Sequence, residues 1–110
     1  MNCPVKVFFS REAEADLNEI FDYIEERDGA HRALAILEKL QEKCLALSDF
    51  SQMGRVPSEL ERIHVNDIFE VSCSPYRIIY MIVDSEVCIS IVCDGRREIS
   101  DLLQKRLFRL

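Results

Sequence analysis

Two hydrophobic rhythms divide the chain. Residues 4-PVKVFF-9 read as a short strand, and Ser10 after them suits a helix N-cap with Glu12 and Glu14 near the positive end of the helix dipole. Ala13, Leu17, Ile20, Phe21 and Ile24 then recur at helical spacing and form one apolar stripe. Glu19, Asp22, Glu25 and Glu26 fall on the opposite face. Asp28-Gly29 breaks the stripe, and a second seam follows through Ala33, Leu37, Leu40, Cys44 and Leu47, widened by Leu34 and Ile36. So short a link predicts an antiparallel helix hairpin whose seams pack on the rest of the chain.

The second half changes period. After a loop-like stretch, 48-SDFSQMGRVPSELE-61, the segment 63-IHVNDIFEV-71 reads as a strand with a kink at Asn66-Asp67. A turn at 72-SCSP-75 leads into the strand 76-YRIIYMIV-83, and a turn at 84-DSE-86 into the strand 87-VCISIVCD-94. A three-residue turn there predicts Val83 opposite Val87, Met81 opposite Ile89 and Ile79 opposite Ile91, with that apolar face against the helices. Ile99, Leu102, Leu103 and Leu107 share one face of a final short helix, with Lys105, Arg106 and Arg109 off it. The predicted fold is α+β and two-layered: an N-terminal strand, a helix hairpin, a three-stranded antiparallel meander and a C-terminal helix. No repeat or linker divides residues 1–110, which read as one domain.

Composition narrows the class. Hydrophobic residues make up 48% and charged residues 31%, a globular balance with no apolar run long enough to span a membrane. The N-terminus lacks the apolar core and cleavage site of a signal peptide, so the expected location is the cytoplasm. Cys3, Cys44, Cys73, Cys88 and Cys93 are odd in number and form no CxxC pair, which argues against a disulfide framework and against zinc. Cys44, Cys88 and Cys93 read as small core residues. The net charge of −6 opposes broad binding to nucleic acid. That charge is uneven: residues 96–110 carry five Lys or Arg against two Asp or Glu, and residues 1–95 carry nine against eighteen.

The residues that draw notice are arginines at the ends of the greasiest strands. Arg77 shares a strand face with Ile79 and Met81, and a guanidinium there needs partners. Either it pairs with Glu70 or Asp94 on neighbouring strands, or it anchors a concave site that meets a phosphate or a partner carboxylate. Arg96 and Arg97 follow Gly95 where the last strand ends. They form a solvated turn, pair with Glu98 and Asp101, or make a fork on the rim of that site. Arg55, beside Gly54, is a fourth candidate. For catalysis the inventory is thin. There is no phosphate loop, metal cluster or Ser/His/Asp set, and no cofactor is expected. His31 at a helix start and His64 on an edge strand read as surface residues, and Tyr23, Tyr76 and Tyr80 as packing residues.

In order along the chain stand Val7–Ser10, Ala13, Asp16-Leu17, Ile20, Tyr23-Ile24, Gly54-Arg55, Glu59-Leu60, Ile68–Val71, Pro75–Tyr80 and Gly95–Ile99. No single piece is specific, but together their order and spacing resemble the ParE branch of the ParE/RelE toxin superfamily, the toxin halves of bacterial type II toxin–antitoxin (plasmid stabilisation) modules. The resemblance implies a helix hairpin over an antiparallel sheet. It also implies one of two activities, since ParE-like members poison DNA gyrase and RelE-like members cut mRNA on the ribosome. It matches Arg77 and Arg97 to the two arginines that serve the scissile phosphate in RelE-like nucleases.

The chain departs from that nuclease pattern at Ile68 and Glu70, where lysines are expected, and at Leu103, where an aromatic residue is expected. The resemblance therefore implies a non-catalytic gyrase inhibitor that causes growth arrest. A co-encoded antitoxin would neutralise it by lying across the sheet and hairpin over Arg77, Arg96 and Arg97. Operator DNA would be met only through the antitoxin complex, and a homodimer or a toxin–antitoxin hetero-oligomer would be the assembled form. Asp94 stands where the ParE pattern often has a histidine, and pairing with Arg77 or Arg96 would blunt the site. The alternatives are a ribosome-dependent mRNA endonuclease using Arg77 and Arg97, and a degenerate homologue that binds antitoxin without toxicity.

Overall fold

A computed structural model describes residues 5–51, 53–62 and 67–108. Strand β1 (Val7–Phe9) runs into helix α1 (Arg11–Asp28), and helix α2 (Ala30–Leu45) follows directly. Three strands then succeed one another, β2 (Ile68–Cys73), β3 (Tyr76–Val83) and β4 (Glu86–Asp94), before the short helix α3 (Ser100–Leu103). A wider, π-type turn, Gln104–Phe108, continues α3. Cys3, His64, Asn66, Arg109 and the first half of the strand expected over 63–71 lie outside the described residues.

Local chemistry sets the element ends. Ser10 closes β1 by donating its N–H to the Ile89 carbonyl at 2.9 Å, and its Oγ caps α1 by accepting the Ala13 N–H at 3.1 Å. Gly29 alone separates the two helices; its N–H donates to Glu25 O and its carbonyl accepts the Ala33 N–H. The sheet order is β1-β4-β3-β2, with β1 parallel to β4 and the other pairs antiparallel.

The hairpin covers one face of the sheet. Ala13, Leu17, Leu40, Cys44 and Leu47 pack there on Val71, Ile78, Tyr80, Val87, Ile89 and Val92. Leu34, placed by its spacing on the apolar side, is half exposed. Burial pushes the Cys44 thiol up to about 12, so this cysteine is a core residue and not a nucleophile. A second, smaller apolar cluster covers the opposite face: Leu60, Ile68, Ile79, Ile91, Cys93, Ile99 and Leu103.

The expected register of β3 on β4 is overturned. The turn has two residues, Asp84 and Ser85, with φ of 50° and 65°. Both lie in the left-handed region, as a type I′ hairpin requires. Val83 therefore pairs with Glu86, Met81 with Cys88 and Tyr80 with Ile89. Ser90 is then an extra residue in β4, a bulge that restores Ile79 opposite Ile91. The face assignment changes with it. Ile79, Met81 and Ile91 point away from the hairpin into the second cluster, whereas Ile78, Tyr80, Ile89 and Val92 meet the helices.

Past the end of β1, the free edge of β4 is capped by a salt bridge unread in the sequence. Arg106 donates to Asp16 at 2.7 and 3.0 Å and to Ser90 O at 3.1 Å, and Asp16 Oδ2 also accepts the Val92 N–H at 2.9 Å. Helix α1, the bulge and the C-terminal segment are thus tied at one point.

Non-glycine residues in the left-handed region cost about 1 kcal/mol each. Replacing the turn by Asp84→Asn with Ser85→Gly should raise stability by about 1 kcal/mol in urea unfolding. A loss of stability would show that the two-residue register is wrong.

Candidate functional site

The four arginines singled out by sequence meet in one cleft of about 380 Å³, lined by Arg55, Arg77, Arg96 and Arg97 together with glutamates. Three pieces of backbone build it. The first is the Gly54-Arg55 loop. Arg55 N donates to Glu70 O at 2.9 Å and Glu70 N to Arg55 O at 2.6 Å, so Arg55 adds a one-residue bridge to the outer edge of β2. The loop can come this close because residue 54 is glycine: a Cβ there would stand 2.6 Å from Tyr80 Oη and 2.8 Å from Glu70 O. Tyr80 Oη accepts the Gly54 N–H at 3.0 Å and donates to Ser51 O at 2.7 Å, which explains a buried phenol on the hairpin face.

The second piece is the short helical turn Ser58–Leu60, which carries Glu59. The third is the 94–99 turn between β4 and α3. Gly95 N donates to Pro75 O at 2.7 Å, and a Cβ on Gly95 would crowd that same oxygen. Asp94 Oδ1 accepts the Arg96 N–H at 2.8 Å and the Arg96 Nε–H at 3.3 Å, and its backbone carbonyl accepts the Arg97 N–H at 3.1 Å. The two Arg96 bonds, that of its backbone N–H foremost, hold the Asp94 carboxyl below its ordinary range. Asp94 thus pairs with Arg96 and makes no bond to Arg77. Glu98 accepts from Ser100 N and Oγ at the start of α3, leaving neither Arg96 nor Arg97 paired with Glu98 or Asp101.

At the floor lies Arg77, 8% exposed. Its Nε and Nη2 donate to Glu70 at 2.9 and 2.8 Å, its Nη1 and Nη2 to Glu59 at 2.9 and 2.8 Å, and its Nη1 also to Arg97 O at 2.8 Å. All five N–H groups are used. Bidentate contact on both sides is the arrangement a buried guanidinium needs to offset its desolvation. Of the two partners weighed for Arg77 in the sequence, Glu70 is one and Asp94 is not. The second carboxylate is Glu59, whose role the sequence reading missed, although Glu59-Leu60 stands among the quoted pieces. The Arg77 hydrogen bonds pull the Glu59 carboxyl down to about 2, against the opposing effect of burial.

The charge at the floor is therefore one cation between two anions. Outward positive charge comes from Arg55, Arg96 and Arg97, all exposed. Among the described residues no carboxylate lies within salt-bridge distance of Arg55 or Arg97. His31 is exposed near the start of α2 and does not line the cleft. No group of three or more metal-ligating side chains is gathered among the described residues. None of the described helices is long and apolar enough to cross a membrane.

A family model described as "ParE toxin of type II toxin-antitoxin system, parDE" matches residues 7–99. Toxin ParE3 of Caulobacter vibrioides is 27% identical over 101 residues, which is 92% of this chain and 97% of that protein. A solved structure titled "Chromosomal ParDE TA system from P. aeruginosa" superposes with a TM-score of 0.68 at 18% identity, over 84% of this chain and 98% of that one, and so shares the fold.

Two measurements test the floor. Arg77→Met should cost about 3–5 kcal/mol in urea unfolding, because the buried Glu70 and the partly buried Glu59 carboxylates lose their partner. Adding Glu59→Gln and Glu70→Leu should recover most of that loss, and an equally unstable triple variant would deny the pairing. The second measurement is acid unfolding. A carboxyl at about 2 in the folded chain and near 4.3 when unfolded stabilises the fold above that ordinary value, and its contribution fades as pH falls towards 2. Glu59→Gln should therefore flatten the loss of stability between about pH 5 and pH 2; an unchanged slope would remove Glu59 from the acid response.

Proposed function

Because the chain belongs to the ParE toxin family of type II toxin–antitoxin systems, we propose that it arrests growth by binding DNA gyrase without covalent chemistry, and that a co-encoded antitoxin restrains it. The observation that supports binding over catalysis is the state of Arg77. A nuclease using Arg77 would need its guanidinium at a phosphate, yet every N–H there is committed to Glu59, Glu70 or Arg97 O. An incoming phosphate would have to displace a carboxylate and then face the one that remains. Glu59, held down to about 2, carries no proton to donate near neutral pH and is a weak base. The described lining of the cleft contains no histidine or lysine to take those roles.

A protein partner asks less of the site. Arg55, Arg96 and Arg97 stand on a rigid rim, exposed and close together, where they can make bidentate bonds to carboxylates of a folded target or of an antitoxin segment. In this reading Arg77 contributes from below, as the group that fixes the rim. Asp94 tempers Arg96 and leaves Arg97 as the principal contact. The net charge of −6 fits operator binding only through the antitoxin, in the cytoplasm.

The test is supercoiling by purified DNA gyrase. The wild-type chain should inhibit it, and Arg97→Glu should raise the concentration for half inhibition about tenfold or more. Equal inhibition by the variant would remove Arg97 from the contact. Cleavage of mRNA on ribosomes by the wild-type chain, abolished in Arg77→Ala, would replace the gyrase reading with the nuclease one.

A further inference from the structure

We propose that Glu59 is a positioning residue that sets the Arg97 guanidinium by clamping the backbone on its C-terminal side, an inference that rests on the partner-facing role of Arg97 given above. The clamp is a closed ring of hydrogen bonds. Arg97 O accepts from Arg77 Nη1 at 2.8 Å, the same Nη1 donates to Glu59 Oε2 at 2.9 Å, and Glu59 Oε2 accepts the Ile99 N–H at 3.1 Å. The carbonyl of residue 97 and the N–H of residue 99 are thereby held to one oxygen and one nitrogen. On the other side, Asp94 O takes the Arg97 N–H and Pro75 O takes the Gly95 N–H. The 95–99 turn that carries Arg97 is thus bonded outward to Pro75, Arg77 and Glu59, and within itself from the Arg97 N–H to Asp94 O.

Rigid backbone matters here because the Arg97 side chain itself makes no hydrogen bond among the described residues. Its direction depends on where the turn puts its Cα–Cβ bond. A partner that reads a guanidinium bidentately gains from that placement, since less side-chain freedom is lost on binding. Glu59 is itself fixed, carried on the Ser58–Leu60 turn beside Leu60, which is 2% exposed and belongs to the second core cluster.

Glu70 supplies the internal control. It also makes two hydrogen bonds to Arg77 and is the more deeply buried of the two, but it has no bond to residues 94–99. A merely structural role predicts that the two glutamates behave alike. A positioning role predicts that only Glu59 reaches the rim.

The experiment compares Glu59→Gln and Glu70→Gln in the full chain, each alone and combined with Arg97→Ala. Two readouts are taken: amide hydrogen exchange at Arg97–Ile99 and half inhibition of gyrase supercoiling. Exchange at Ile99 should quicken about tenfold or more in Glu59→Gln, the loss of one charge-assisted bond, and stay within about threefold of wild type in Glu70→Gln. Inhibition should weaken about tenfold in Glu59→Gln but not further when Glu59→Gln is added to Arg97→Ala, because both act through one group. Equal exchange in the two glutamine variants overturns the clamp. Additive losses in the double variant overturn its action through Arg97. If the wild-type chain leaves gyrase untouched, the functional reading fails, and Ile99 exchange alone then decides whether the clamp exists.

Discussion

A guanidinium buried between two carboxylates organises half of this molecule. Arg77 sits on β3, Glu70 on the neighbouring edge strand, Glu59 on a loop turn, and Arg97 and Ile99 at the start of the C-terminal segment. The desolvation of three charges costs several kcal/mol per ion, and only close, multiply bonded geometry offsets it. The β2–β3 ladder already sets the strands of Arg77 and Glu70 side by side, and the Arg55–Glu70 bridge holds the start of the 54–60 loop. The ion network adds the ties of Glu59 and of the 97–99 backbone to that frame.

A second arginine does for the far end of that segment what Arg77 does for its beginning. Arg106 reaches Asp16 on α1 and the carbonyl of the bulge residue Ser90, and Asp16 takes the Val92 N–H. The bulge shifts the phase of β4, and the backbone groups it leaves along the open edge would be unsatisfied without these side chains. Between the two arginines, Ile99 and Leu103 seal the second face of the sheet at 0% and 1% exposure. The C-terminal segment is therefore held at both ends by charge and in the middle by burial, and the only strongly basic stretch of an acidic protein is partly consumed in holding itself down.

The helices were legible because amphipathic seams repeat locally. Ser10, Ala13, Leu17, Leu40 and Cys44 do what their spacing says. The β4 register was not legible from the turn length, because Asp84 and Ser85 adopt left-handed conformations that glycine or asparagine would have advertised. One trace did exist: Val87, Ile89 and Val92 face the same layer at steps of two and then three, which is the mark of an inserted residue. Arg77 on an apolar strand face announced its need for partners, and Glu70 was within reach of that reading, but the other partners leave no such trace. Asp16 and Arg106 are separated by 90 residues and Glu59 and Arg77 by 18, and Asp16, Arg106 and Glu59 each read locally as ordinary surface charge. Of the site, the four arginines were found by their positions at strand ends. Of the carboxylates that determine which of those arginines are free, Glu70 and Asp94 were weighed as partners from the sequence and Glu59 was not.

This distinction changes what the family motif means in physical terms. Ser10 caps a helix, Asp16 closes an edge, Gly54 lets a loop touch Tyr80, Glu59 and Glu70 neutralise Arg77, and Gly95 turns against Pro75. These pieces are spent on building the frame beneath the rim. The side chains of Arg55 and Arg97 project from that frame without a hydrogen bond to it among the described residues, whereas the Asp94 side chain braces the turn by accepting the Arg96 N–H. Fold and family therefore follow from the motif with far more force than the target does. In the binding reading proposed above, the rim offers a partner two exposed arginines without carboxylate partners among the described residues and a third tied to Asp94. Such a rim, above a floor whose own positive charge is more than cancelled, is better matched to scattered carboxylates on a protein surface than to the dense charge of a nucleic-acid backbone.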